Sequence, residues 1–423
     1  TLLPTFFLKF ISSLGVVIFN ITIIFLSNEN TLGLFTVGLS VITFATIISR
    51  IGLNGAILRF TSISIHQKKA GQFKNEIIFS LFFTLFISSL IITILFIFED
   101  FIISTIYKNI ELRKIIFIFS LSIPLYSIII IQKSLFNSFR FSQLVSLSDM
   151  GTVLLLTTLI AIFAVNIMGI NLTIYRLSIY FLIANLLLIV FLSIILINLI
   201  LSKFVKIFES NAFNLDKLFI RSLPNYFIID LSNYFLIWGS IFLASIILVP
   251  TELAVFSTIF VLALSVNFVP ITLNSIFAPM ISIKYHKKDY NGLFKTIFNY
   301  RLLSICITTP VILILLFFSE NILLLIFDKI TTFHIYSFQI FILSHCFKIF
   351  SGPLILLFNL VGNEKIVRNI SIITLLSHLL LVIILVNLFN LHFQAIAISY
   401  IFTIFIKYLI LNISYFKFKK SII

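Results

Sequence analysis

Long apolar runs alternate with short polar breaks along the whole chain, and the lengths of the runs set the first expectation. A hydrocarbon core near 30 Å takes about 20 apolar residues as a helix, and a helix is the element that satisfies its own backbone in lipid. Applied between the polar breaks, that rule predicts about twelve membrane-spanning helices: 2–26, 32–58, 76–98, 115–136, 144–166, 174–200, 219–247, 253–280, 297–318, 333–358, 368–388 and 393–413. The second, seventh and eighth are long enough to tilt, kink or protrude. The first run begins at once, lacks a cleavage-like small-residue site and is too long for the apolar part of a signal peptide. It is expected to stay as the first span.

The pattern also repeats. Leu3-Pro4-Thr5-Phe6-Phe7 returns as Leu223-Pro224-Asn225-Tyr226-Phe227, at an offset of 220. Leu53-Asn54 returns as Leu273-Asn274, and the hydrophilic stretch from His66 to Lys74 returns from His286 to Lys295. Leu135-Phe136-Asn137 returns as Leu357-Phe358-Asn359, at an offset of 222. Ordered echoes at a nearly constant offset predict two homologous halves of six spans each. An even number of spans per half makes the repeats parallel, the arrangement of transporters whose lobes rock around a central cavity. The expected organisation is therefore an N-terminal six-helix lobe over 1–200, a cytoplasmic linker over 201–218 and a C-terminal six-helix lobe over 219–423.

Composition confirms the solvent: 61% of the residues are hydrophobic and 10% charged, too little polar surface to clothe a soluble core. The fold class is all-α, a polytopic membrane protein. The 52 Phe read as lipid-facing bulk rather than as an aromatic binding array. Cys306 and Cys346 stand in separate apolar segments without pairing or metal-ligand spacing.

Charge changes the picture by giving a direction. Cytoplasmic loops accumulate Lys and Arg. Alternate loops and the tail hold twenty of them, including Arg59, Lys68, Lys69, Lys74, Lys133, Lys206, Arg221, Lys284, Lys365 and Lys420. The opposite set holds five: Lys108, Arg113, Lys114, Arg176 and Lys329. Both termini are expected in the cytoplasm, and the net charge of +15 is largely this orientation signal, with no nucleic-acid partner implied.

No loop holds a Gly-rich phosphate loop, a His/Cys cluster or a Ser-His-Asp set, so neither an enzyme nor a cofactor or metal site is expected. Charges inside spans remain, and these are costly enough to mark function. Lys9, Arg50, Arg59, Lys348 and Lys407 stand against Asp149 and Asp230, a cationic balance suited to an anionic head group crossing the membrane. Arg59 and Lys407 read as snorkelling to the cytoplasmic face. Lys9, Arg50 and Lys348, with His345 three residues before Lys348 on the same helix face, read as cavity lining. Asp149 and Asp230 read as counter-ions or coupling sites, and Lys9 is a prospective partner for Asp230. Pro4, Pro224, Pro270 and Pro279 offer bending points in the first, seventh and eighth spans.

Several segments then resemble one family. Gly33-Leu34-Phe35-Thr36 and Ile51-Gly52-Leu53-Asn54-Gly55-Ala56-Ile57-Leu58-Arg59, Ser222-Leu223-Pro224, Ala254-Val255-Phe256-Ser257, Ala278-Pro279-Met280-Ile281-Ser282, Gly352-Pro353 and Leu360-Val361-Gly362-Asn363-Glu364-Lys365 are similar to polysaccharide transport flippases. These move undecaprenyl-diphosphate-linked O-antigen or capsule repeat units. The resemblance implies the multidrug/oligosaccharidyl-lipid/polysaccharide exporter fold, two six-helix lobes in a V around a hydrophilic cavity, in a bacterial cytoplasmic (inner) membrane. It implies as partners the lipid bilayer, the polyprenyl-diphosphate-linked glycan and a glycan polymerase complex. Lys9 and Arg50 match places where related lipid II flippases carry basic residues, whereas the eighth span has none before Lys284. A cation-coupled multidrug exporter of the same superfold is the alternative.

Overall fold

The computed structural model describes residues 2–67, 69–107, 109–203, 215–389 and 391–422. Lys68, Lys108 and Lys206 of the charge pattern, and residues 204–214 of the predicted linker, lie outside the described residues. Among the described residues the chain is helical and contains no strand. The principal helices are α1 (Leu2–Leu26), α2 (Glu29–Arg50), α3 (Leu53–His66), α4 (Ala70–Ile97), α5 (Arg113–Ser138), α6 (Met150–Asn166), α7 (Ile174–Lys203), α8 (Lys217–Ile247), α9 (Pro250–Leu264), α10 (Phe268–His286), α11 (Tyr290–Phe317), α12 (Thr332–Ser351), α13 (Leu354–Leu360), α14 (Glu364–Phe389) and α15 (Phe393–Ile422). Among the described residues ten helical stretches are long and apolar enough to cross a membrane, with α9 and α10 counted as one. The helix α8, bent by 59° between Phe235 and Trp238, makes an eleventh, and the 17-residue apolar α6 stands where the remaining span was expected.

Local chemistry sets the ends. Asn28 caps α2 by accepting from the Thr31 amide at 2.8 Å, and Asp289 caps α11 by accepting from the Gly292 amide at 2.9 Å. The expected continuous spans 32–58, 144–166 and 333–358 are each interrupted. After Arg50 the backbone of Ile51 and Gly52 turns to positive φ, 43° and 80°, and α3 starts afresh. A Cβ on Gly52 would stand 2.4 Å from the Leu223 carbonyl oxygen and 2.5 Å from the Phe227 nitrogen, so the break is docked on the start of α8. Asp149 is extended ahead of α6, after a short helix Ser142–Leu147, and Gly352-Pro353 separates α12 from α13. One glycine or proline breaks a helix without lowering the average hydropathy of a window around it, which is why apolar length missed these points. The bend of α8 likewise lies well after Pro224.

The spans are amphipathic in the sense that lipid requires. Along α4 the buried stripe is Glu76, Ser80, Thr84 and Ser88, while Phe82, Phe86, Leu90 and Phe96 face outward. The repeat offset of 220 carries that stripe onto Thr296, Tyr300, Ser304 and Thr308 of α11, and these four are buried too. The two halves therefore share an interior polar ladder as well as a sequence echo. Small hydroxyl side chains on inward faces let helices approach and hydrogen-bond in lipid.

Two compact units are present, residues 3–234 with 249–254 and residues 235–248 with 255–423. In the first, α5 is the hub and packs on α2, α3, α4 and α7. Ser49–Ser127 and Thr61–Ser138 hydroxyl pairs at 2.7 Å tie α2 and α3 to it, over a cluster of Phe19, Phe35, Phe119 and Phe181. In the second, α15 packs on α12 and α14 around Phe256, Phe260, Phe341 and Tyr400.

At the end of α12, Arg301 donates to the Ser351 carbonyl at 2.8 Å, which places a cation on the carbonyl end of the helix dipole. Gly352 follows with φ 75° and ψ −156°, a region that only glycine occupies without strain, and a Cβ there would meet Arg301 Cγ at 2.6 Å. Gly352→Ala is expected to cost about 1–3 kcal/mol, read as a lowered melting temperature in detergent. An unchanged melting temperature would contradict this strained, docked turn.

Candidate functional site

Each unit gathers its intramembrane charges at a helix break. In the first unit Arg50, 7% exposed, ends α2 and donates from Nε to the Thr46 carbonyl at 2.8 Å. Its acidic neighbour is Asp230 on α8, which accepts a hydrogen bond from Asn54 just beyond the break. The Oδ1 of Asn54 is buried without a hydrogen-bond partner among the described residues. Tyr126 of α5 lies within electrostatic reach of Arg50. Tyr234, one turn beyond Asp230, donates to the Ser40 carbonyl at 3.2 Å and holds that stretch of α8 against α2.

A second cluster in this unit joins α1, α5 and the start of α6. Lys133 pairs with Asp149, with 32% and 28% of their side chains exposed, and Lys9 has Asp149 and Lys133 as its charged neighbours. The expected pairing of Lys9 with Asp230 is thus replaced by two separate groups, because Asp230 sits at the α2–α3 break and Lys9 at the α6 start. Partial exposure keeps the Lys133–Asp149 pair at about 0–1 kcal/mol.

In the second unit a 3₁₀ turn, Ser265–Asn267, separates α9 from α10 and aims Asn267 at α12. Lys348 Nζ donates to Asn267 Oδ1 at 2.8 Å. An ammonium has no acceptor, so this contact fixes the amide, whose Nδ2 then donates to His345 Nδ1 at 3.0 Å. Lys407 of α15 is the charged neighbour of Lys348. It is 8% exposed, against the expected snorkelling, because α15 continues to Ile422 and Lys407 falls on its buried stripe with Tyr400, Thr403, Ile404 and Leu411. The offset of 222 makes Lys348 the counterpart of Tyr126, so equivalent positions carry polar groups in both halves.

Sequence reasoning selected Lys9, Arg50, Lys348, His345, Asp149 and Asp230, and the structure groups them as Arg50 with Asp230, Lys9 with Asp149, and Lys348 with His345. It missed Asn54 and Asn267, and it read Lys407 as snorkelling rather than as part of a buried face. The 3–4 residue spacing through α15 was the available signal for Lys407. Away from these clusters, a cavity of about 480 Å³ in the first unit is lined by Arg59, Lys69, Gln72, Asp216 and Arg221.

A solved inward-facing multidrug-resistance MATE family transporter of the MOP superfamily superposes with a TM-score of 0.72 at 11% identity, over 98% of this chain and 95% of that one. A MATE structure in a straight conformation gives 0.66 at 14% identity, over 100% and 95%. A MOP superfamily transporter from Pyrococcus furiosus, reported with a binding pocket of reversed polarity, gives 0.65 at 13% identity, over 100% and 96%. At these identities the likeness establishes the fold of a membrane transporter. No curated protein sequence matches the chain. Residues 5–283 match the family model described as polysaccharide biosynthesis protein, and with two thirds of its length inside that model the chain belongs to the polysaccharide biosynthesis protein family.

Proposed function

We propose that the protein is a flippase that moves a polyprenyl-diphosphate-linked oligosaccharide, an O-antigen or capsule repeat unit, from the cytoplasmic to the outer leaflet of a bacterial inner membrane. The observation that carries this reading is the cationic excess along the apolar helices. Lys9, Arg50, Lys133, Lys348 and Lys407 stand against Glu76, Asp149 and Asp230 on helices of a family tied to polysaccharide biosynthesis. A diphosphate cannot enter hydrocarbon unpaired, whereas the polyprenyl tail costs nothing left in lipid. Lys9, Arg50 and Lys348 neutralise the diphosphate, Asp149 holds Lys9 and Asp230 holds Arg50, and alternating access with both termini in the cytoplasm turns binding into transport.

The test is surface display of glycan in a host deleted for its own flippase. The chain is expected to restore display, and K9M/R50M/K348M is expected to abolish it at equal membrane insertion. Retained display in the triple variant overturns the role of those cations. Inserted wild-type protein that fails to restore display but confers drug resistance, lost on neutralising Asp149 or Asp230, establishes the multidrug exporter instead.

A further inference from the structure

Among the described residues the second unit holds a buried Lys407, a half-buried Lys348 and no buried anion. Its four acidic residues, Asp289, Glu320, Asp328 and Glu364, stand at helix ends or in a loop. Lys407 is 8% exposed and makes no hydrogen bond or ion pair with a described residue, and its neighbour Lys348 is held only by the neutral Asn267. His345 adds no countercharge, since it accepts at Nδ1 from the same amide. Burying two like charges side by side is costly, and the cost is relieved when an anion sits between them. The helix register brings the two lysine stretches together: the rings of Phe347 and Phe405 lie 5.0 Å apart, and Asn412 donates to the Ser351 hydroxyl at 2.7 Å.

We propose that Lys348 and Lys407, with Asn267 orienting the first, form a buried seat for a phosphate-type oxyanion in the second unit. On the flippase reading, on which the source of the ligand rests, that oxyanion is the diphosphate of the carrier lipid. Lys348 approaches from α12 and Lys407 from α15, so the seat is made by two helices that pack directly. Asn267 ties it to the α9–α10 break, where a change in helix geometry repositions Lys348.

The seat is tested on the full purified chain in detergent by titration calorimetry with farnesyl diphosphate, farnesol and inorganic pyrophosphate. Farnesyl diphosphate is expected to bind and farnesol not to bind. K348M and K407M each weaken binding about thirtyfold or more, as truncating one side of a buried charged contact does. K348R and K407R retain it, and Lys420→Met, at the exposed end of α15, leaves it unchanged. Pyrophosphate binding as well as the lipid shows a seat that reads the oxyanion alone; binding of the lipid only shows one that also needs the tail. Unchanged farnesyl diphosphate affinity in K348M/K407M overturns the seat.

Thermal melting separates binding from folding. Without ligand, Lys407→Met is expected to raise the melting temperature, because one of two repelling charges is gone, and farnesyl diphosphate then no longer stabilises the variant. An equal ligand-induced shift in variant and wild type also overturns the seat. Display restored by a protein whose double variant binds normally removes the seat and leaves the flippase. Binding lost in the double variant of a protein that never restores display leaves the seat and removes the flippase.

Discussion

Replacing Gly151 with alanine is expected to lower the melting temperature of the detergent-purified protein sharply and to cut the yield of monodisperse protein. Gly151 opens α6 where that helix crosses α1. A Cβ built on it would stand 1.7 Å from the Ser12 carbonyl oxygen, and one on Gly15 would stand 2.3 Å from the Gly151 carbonyl oxygen. Both obstacles are backbone, so no rotamer change relieves them. Helices associate in lipid through such close approaches of small residues, since lipid tails give no hydrophobic drive between them. One methyl group would force α1 off α6, break the Thr152–Ser12 hydroxyl contact at 3.3 Å and carry Lys9 away from Asp149 and Lys133. The expected cost is at or above the ~3 kcal/mol upper end of ordinary overpacking. Gly169→Ala is the comparison: nothing lies within 4 Å of its Cβ position, and only a φ of 64° opposes it, which costs about 1 kcal/mol. Equal melting temperatures for the two variants would show that α1 does not rest on α6.

Most of the fold was legible because the signals that specify it are long. Twenty-odd apolar residues per span and the six-span repeat survive any local detail. The interruptions were not legible from hydropathy, since Gly52 and Gly352 act through one backbone angle and leave the apolar run intact. The stripe of Glu76, Ser80, Thr84 and Ser88 was present in the sequence at four-residue spacing. It becomes interpretable once its four counterparts on α11 are seen to be buried as well. The candidate site divides the same way. Charge in an apolar run singled out Arg50, Lys348 and Asp230, whereas Asn54 and Asn267 are uncharged and matter by standing at breaks. Lys407 was misplaced because the predicted span stopped at 413 and left it near a helix end. Nine more helical residues and a buried face put it inside.

Arg50 supplies the other large effect. Arg50→Met is expected to abolish glycan display and also to destabilise the protein, because Asp230 then keeps only Asn54 as a partner. Asp230→Asn alone leaves the guanidinium without its acidic neighbour. The double variant R50M/D230N removes both charges, so its melting temperature is expected above the sum of the single losses, with a coupling of roughly 0.5–3 kcal/mol. Display decides what the pair is for. A purely structural pair predicts that the double variant regains display along with stability, since nothing charged is left unsatisfied. A guanidinium that also meets the diphosphate predicts recovered stability with display still absent. The second outcome is expected, because Arg50 stands at a break in its own helix, where the carbonyl end of α2 and the docked glycine at 52 fix its backbone. Only its side chain is then left to move between Asp230 and a passing anion. Recovery of display in R50M/D230N would remove Arg50 from contact with the cargo.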